Sequence, residues 1–206
     1  MKENNIVSET VKKYRPHSRK NVYAFGENLL NRNFKVSVIN TVWVTDITYI
    51  FIPGYGFTYL ATVIDLATRK PIGWHFSKRM TSETAIQAVK NALVAQNYPQ
   101  DVILHADRGS QYTSKKFRDF IKLMNLKQSF SNKGCPYDNA VIESFHSSLK
   151  KELIYRVNLL SFEHARLLLF DYIDYFYTRY RLHSYLGYIT PQEMEDRLKK
   201  AKTNAA

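Results

Sequence analysis

Val42-Trp43-Val44-Thr45-Asp46-Ile47-Thr48-Tyr49-Ile50 is a β-branched and aromatic run with one acid at its centre. Its composition predicts a strand over 42–52, ended by the turn Pro53-Gly54-Tyr55-Gly56. A second strand pattern follows at 57–65, and Thr68-Arg69-Lys70 turns into a third, Pro71 to Ser77. Three closely spaced strands with short turns predict an antiparallel meander. Trp43 is read as core rather than ligand.

Downstream the period lengthens. Thr81-Ser82-Glu83-Thr84 has capping-box character, and Ala85, Ile86, Val89, Leu93 and Val94 follow at helical spacing. Asp101 to Ala106 predicts a short buried strand, Ser114 caps a helix through Phe117 and Ile121, and Leu126 to Ser129 predicts a fifth strand. Helices are expected from about Asp138 to Tyr155 and from Ser161 to about Arg181. The order β-β-β-α-β-α-β-α-α predicts an α/β domain: a mixed five-stranded sheet flanked by helices, with C-terminal helices. With acids on its first and fourth strands and on the next helix, this order resembles the ribonuclease H-like fold.

The acids are Asp46, Asp107 and Glu143. Asp107 follows Val102-Ile103-Leu104-His105-Ala106 and precedes the turn residues Arg108-Gly109-Ser110. Two strand acids and one helix acid, brought together, suit a pair of divalent cations, which clamp the attacking and leaving oxygens of a phosphoryl transfer. Singly, each acid has a plainer role: a partner for a lysine, a turn cap, a solvated helix acid. On the helix, Ile142, Phe145, Leu149 and Leu153 share an apolar face, while Glu143, Ser147 and Lys150 share the adjacent one. Lys150, seven residues after Glu143, is placed to hold a substrate phosphate. His146 lies between the faces, either near Glu143 or as a packing histidine.

The 206 residues carry a net charge of +12, which points to a polyanionic partner such as nucleic acid. A single cysteine, Cys135, excludes an intrachain disulfide framework and a cysteine-rich zinc site. No apolar run reaches the ~20 residues of a membrane span, so a cytoplasmic protein without membrane contact is expected. Residues 1–35 read as a basic N-terminal arm, 36–195 as the core and 196–206 as a basic tail. The cluster Arg15-Pro16-His17-Ser18-Arg19-Lys20 is either a solvated tail or a phosphate-contacting arm, with Arg15, Arg19 and Lys20 as the contacts.

Four segments carry a resemblance. They are Trp43 to Tyr49, His105-Ala106-Asp107-Arg108-Gly109-Ser110-Gln111-Tyr112, Tyr137 to Phe145, and Arg181-Leu182-His183-Ser184-Tyr185-Leu186-Gly187-Tyr188-Ile189-Thr190-Pro191. Together they closely resemble insertion-sequence transposases with a retroviral-integrase-like catalytic core of the DDE type, over roughly residues 36 to 195. The resemblance implies metal-dependent cleavage and strand transfer during DNA transposition and integration. It implies that Asp46, Asp107 and Glu143 bind two Mg²⁺ ions, with Mn²⁺ able to substitute, and that Lys150 matches the family's basic residue.

Lys151, Gln111, Tyr112 and Asn139 are further candidate DNA contacts, although for Gln111 and Tyr112 a turn or packing role is equally open. Asp138 and Asn139 can cap the helix they precede, and Gly134 lies in the loop entering it. His183 and Pro191 belong to the last motif without an evident chemical role, and Tyr185 stands where the family commonly has a small residue. Expected partners are the DNA of element ends and target, further copies of the chain on DNA, and a separate helix-turn-helix region or protein. The family's usual N-terminal helix-turn-helix is represented by its tail at most, so the chain is expected to be a fragment or partial product. Two other functions fit the same residues: a truncated DNA-binding regulator of transposition and a ribonuclease H-like nuclease.

Overall fold

The β-branched run at 42–52 becomes the middle of a sheet. A computed structural model describes residues 26–132 and 136–204. Strands β1 (Val42–Ile52), β2 (Gly56–Asp65), β3 (Pro71–Ser77), β4 (Ile103–Ala106) and β5 (Lys127–Phe130) form one sheet in the order β3-β2-β1-β4-β5. β1, β2 and β3 pair antiparallel, as the short turns predict; β4 joins β1, and β5 joins β4, in parallel. The helices are α1 (Ser82–Ala95), α2 (Ser110–Thr113), α3 (Lys115–Leu123), α4 (Ala140–Leu149), α5 (Phe162–Phe170) and α6 (Pro191–Asn204).

β1 is covered on both sides, which explains why its sequence reads as nearly continuous apolar residues. On one face Val44, Ile50 and Ile52 pack with Ile142, Phe145 and Leu149 of α4 and with Leu169 of α5. On the other, Trp43, Ala61 and Val63 pack with Ala85, Ile86 and Val89 of α1 and Phe117 and Ile121 of α3. Trp43 is fully buried, as expected for a core residue. The side chain of Thr81 accepts a bond from Thr84 N–H and starts α1. α1 lies almost against the backbone of β3, since a Cβ on Gly73 would sit 2.4 Å from the amide nitrogen of Ala92.

Several elements differ from expectation. The two long helices expected at 138–155 and 161–181 are composite. The first opens as a 3-10 turn at Pro136–Asn139, continues as α4 and widens into a π-type turn at Lys150–Ile154. The second, α5, widens at Asp171–Tyr177. Arg181 bridges the two widened turns through Glu152, at 2.7 Å from Nη2 to Oε1, and Tyr172 donates to the same carboxylate at 2.7 Å. α6 has no periodic apolar stripe to announce it. It starts with a reciprocal cap: Thr190 N–H donates to Glu193 at 2.8 Å, and Glu193 N–H donates to Thr190 Oγ1 at 3.2 Å. Thr190-Pro191-Gln192-Glu193 is therefore the signal that marks this helix in the sequence. Its buried Glu195 pairs with Lys70 at 2.7 Å and Lys199 at 3.0 Å.

Residues 26–35 pack on the core. Leu30 is buried with the α4 face, Leu29 N–H donates to Ser129, and Asn28 and Arg32 both donate to Asp138. Asp138 also accepts from Asn132 N–H, so it anchors the loop entering α4 rather than capping the helix. Arg15, Arg19, Lys20, Gly134 and Cys135 lie outside the described residues.

Candidate active site

Strand register places the first two acids. Val44 pairs with His105 in the parallel β1–β4 ladder, and each acid lies two residues further on. Asp46 therefore sits in the middle of β1 just past its last pairing with β4, in register with Asp107, which follows the end of β4. His105 fixes the end of β4: its Nδ1 meets Ser129 Oγ at 2.9 Å and its Nε2 meets Ser131 Oγ at 3.1 Å. Burial lowers the His105 pKa to about 4, so the ring is neutral at neutral pH. Gly109 N–H donates to Asp107 at 2.9 Å and holds that carboxylate over the turn.

The third acid arrives on α4. Packing Ile142, Phe145 and Leu149 onto the sheet turns the adjacent stripe toward β1. Asp46, Thr48, Glu143, His146, Ser147, Lys150, Lys151 and Tyr155 line one open cleft. His146 Nδ1 lies 3.5 Å from Asp46 Oδ2, so this histidine is a neighbour of the β1 acid as well as of Glu143.

The acids feel one another. Asp107 is raised above the ordinary carboxylate range, first by burial and further by the charge of Asp46, against the Gly109 bond. Glu143 is raised by burial and by Asp46, against His146. Asp46 is thus the common electrostatic neighbour of the other two, and among the described residues neither Asp107 nor Glu143 forms an ion pair. A divalent cation would relieve this repulsion, and an oxygen-only donor set is what Mg²⁺ takes. Among the described residues no three His, Cys, Asp or Glu side chains cluster closely enough to hold one ion. The donor set fits ions held by two carboxylates each, with the remaining positions hydrated.

Two sequence-predicted contacts are corrected by burial. Tyr112 is 1% exposed, with its ring edge-on to Phe117 and its hydroxyl 3.2 Å from Thr45 Oγ1. It supports the floor under the acids and presents no surface to DNA; burial and Asp46 push its pKa well up. Asn139 is also buried; its amide reaches the Thr45 carbonyl at 3.5 Å and makes no side-chain cap on α4. Gln111 is half-buried on α2, and its carbonyl accepts from Ser114 Oγ at 3.0 Å. Lys150 and Lys151 reach the cleft.

Two models described as the integrase core domain match residues 38–136 and 124–191. The transposase for insertion sequence element IS904 of Lactococcus lactis is 37% identical over 183 residues, covering 89% of this chain and 72% of the relative. The chain belongs to the insertion-sequence transposases with an integrase core. Transposase InsF for insertion sequence IS3A of Escherichia coli is 44% identical over 171 residues, covering 83% of this chain. The chain spans 59% of the length of that InsF relative. The catalytic core domain of HTLV-2 integrase, solved in complex with magnesium, superposes with a TM-score of 0.58 at 16% identity, over 76% of this chain and 97% of that one. The catalytic domain of Mos1 mariner transposase gives 0.56 at 16% identity, over 66% and 71%. These two structures place this transposase-family chain in the ribonuclease H-like fold. No helix among the described residues is long and apolar enough to cross a membrane.

Proposed function

We propose that this chain carries the catalytic core of a DNA transposase, which cleaves a phosphodiester at an element end and joins the freed 3′-hydroxyl to target DNA. The observation that carries the reading is the placement of Asp46 as common neighbour of Asp107 and Glu143, on a chain of this family. Asp46 with Asp107, and Asp46 with Glu143, would hold two Mg²⁺ ions, for which Mn²⁺ substitutes. When bound, such ions neutralise charge on the attacking and leaving oxygens. The magnesium-bound HTLV-2 core supports this choice of cation.

The chain's own residues position the reactants. His146, 3.5 Å from Asp46, restrains the central carboxylate. Lys150 and Lys151 line the cleft beside Glu143, where they attract the DNA backbone as point charges. The net charge of +12 supports the same partner. Joining two ends needs at least two active sites, so copies assemble on DNA, with an end-reading helix-turn-helix region or protein.

A Mg²⁺-dependent joining assay on element-end duplex tests the reading. Asp107→Asn abolishes joining and leaves DNA binding nearly intact. Wild-type joining by that variant would overturn it.

A further inference from the structure

A second cavity lies on the other flank of α4. Arg69, Ser144, Tyr177, His183 and Tyr185 line it, together with the first residues of α4, Ala140 and Val141. At about 100° per residue, the stripe Ala140-Val141-Ser144 is turned roughly a third of a revolution away from Glu143, Ser147 and Lys150. The carboxylate cleft and this cavity are therefore two sites sharing one helix.

Its donors are unusual. Arg69 is only 5% exposed. Its guanidinium stacks on the Tyr185 ring at 4.0 Å, and Nη2 donates to the Phe34 carbonyl at 2.9 Å. Among the described residues, Arg69 Nη1 and His183 Nε2 are both buried without a hydrogen-bond partner. A buried polar nitrogen without a partner is rare, because desolvation is not repaid; the His183 ring donates from Nε2 in the tautomer that carries its proton there. Arg69 also holds a left-handed backbone, φ +58°, which non-glycine residues seldom adopt. The N-terminal end of α4 adds a positive field, and Asn139 leaves it without a side-chain cap. The last sequence motif thus supplies a ring, His183, and an aromatic wall, Tyr185, to one basic cavity.

We propose that this cavity binds a phosphate oxyanion, with Arg69 and His183 as its two donors. One source of that group is the DNA backbone, and this half of the inference rests on the proposed function; the other is a free phosphate. An anion here satisfies both orphaned nitrogens and, among the described residues, meets no acid at the cavity wall. Asp65, which interacts with Arg69, is engaged elsewhere, accepting from Asn40 N–H and Thr68 N–H. Glu152 is held by Arg181. Tyr185 becomes the platform that orients the guanidinium.

The test follows the imidazole resonances of the full ¹⁵N-labelled chain, with His183 assigned through His183→Gln. Sodium phosphate is titrated against sodium chloride at matched ionic strength, and then a short DNA duplex is added. The expected result is a saturable His183 shift with phosphate and none with chloride. Arg69→Lys, which keeps the charge and loses the planar fork, weakens it about tenfold while the backbone spectrum stays folded. Asp107→Asn leaves the shift unchanged, which separates this site from the joining chemistry. A matching shift with duplex assigns the backbone as source, and a response to phosphate alone assigns the free anion. A His183 resonance indifferent to phosphate and DNA alike would overturn the proposal, as would phosphate binding that Arg69→Lys and His183→Gln leave intact.

Discussion

Asp46 shows what a single residue gains from its neighbours. In the sequence it is an acid interrupting a strand; in the fold it borders His146 at 3.5 Å and raises both Asp107 and Glu143. Removing its charge should relax the other two acids, so Asp46→Asn is expected to lower the pKa of Glu143, as carboxylate NMR titration would detect. Lys150→Ala tests the basic side of the cleft: DNA binding should weaken similarly across sequences, with the salt slope reduced by about 1, measured by affinity against salt concentration. The sequence singled out Asp46, Asp107 and Glu143 by their order and element type together, since each alone has a plainer use; the structure places Asp46 in mid-β1, Asp107 just past β4 and Glu143 with Lys150 on the cleft side of α4. Burial decides for the packing role left open for Tyr112 and against Asn139 as a DNA contact, because motif position says nothing about burial. Their side chains point beneath the acids, to Thr45, and only strand register reveals that.

At the scale of elements, the meander was readable because short turns between β-branched runs leave few alternatives, and the observed pairing follows it. α6 was not, because it buries little besides Pro191 and Glu195 and so lacks an apolar period. The widened turns at Lys150–Ile154 and Asp171–Tyr177 were also hidden, since a π-type turn keeps helical composition. Glu152 ties these turns to Arg181. The Arg181 hydrogen bond holds its carboxyl below the ordinary range, against burial, with Tyr172 assisting. A depressed folded pKa contributes stability above the unfolded value of about 4.3 that is lost as pH falls through the folded one. Glu152→Gln should therefore cost about 1 kcal/mol at pH 7, a shift of roughly 2–4 °C, and the wild type should lose that advantage progressively as the melts are taken to acid pH below the unfolded value. The α1–β3 contact makes a separate prediction. Gly73→Ala drives a Cβ to 2.4 Å from Ala92 N and 2.6 Å from Ala88 O, both backbone, and should destabilise by on the order of 3 kcal/mol in denaturant titration.

Across the whole molecule, two hydrophobic layers enclose one sheet, and the chemistry gathers where β1, β4 and α4 meet. The same α4 borders the carboxylate cleft on one flank and the Arg69–His183 cavity on the other, so a single rigid element positions both. Residue patterns disclosed the cleft but not the cavity, because Arg69 and His183 are 114 positions apart and neither has a motif-level chemistry of its own. The most direct test is anomalous diffraction from crystals of the chain equilibrated with Mn²⁺. The expected result is two peaks, one between Asp46 and Asp107 and one between Asp46 and Glu143, both lost in Asp46→Asn. Peaks confined to other carboxylates, or none at Asp46 at saturating Mn²⁺, would contradict the two-metal active site.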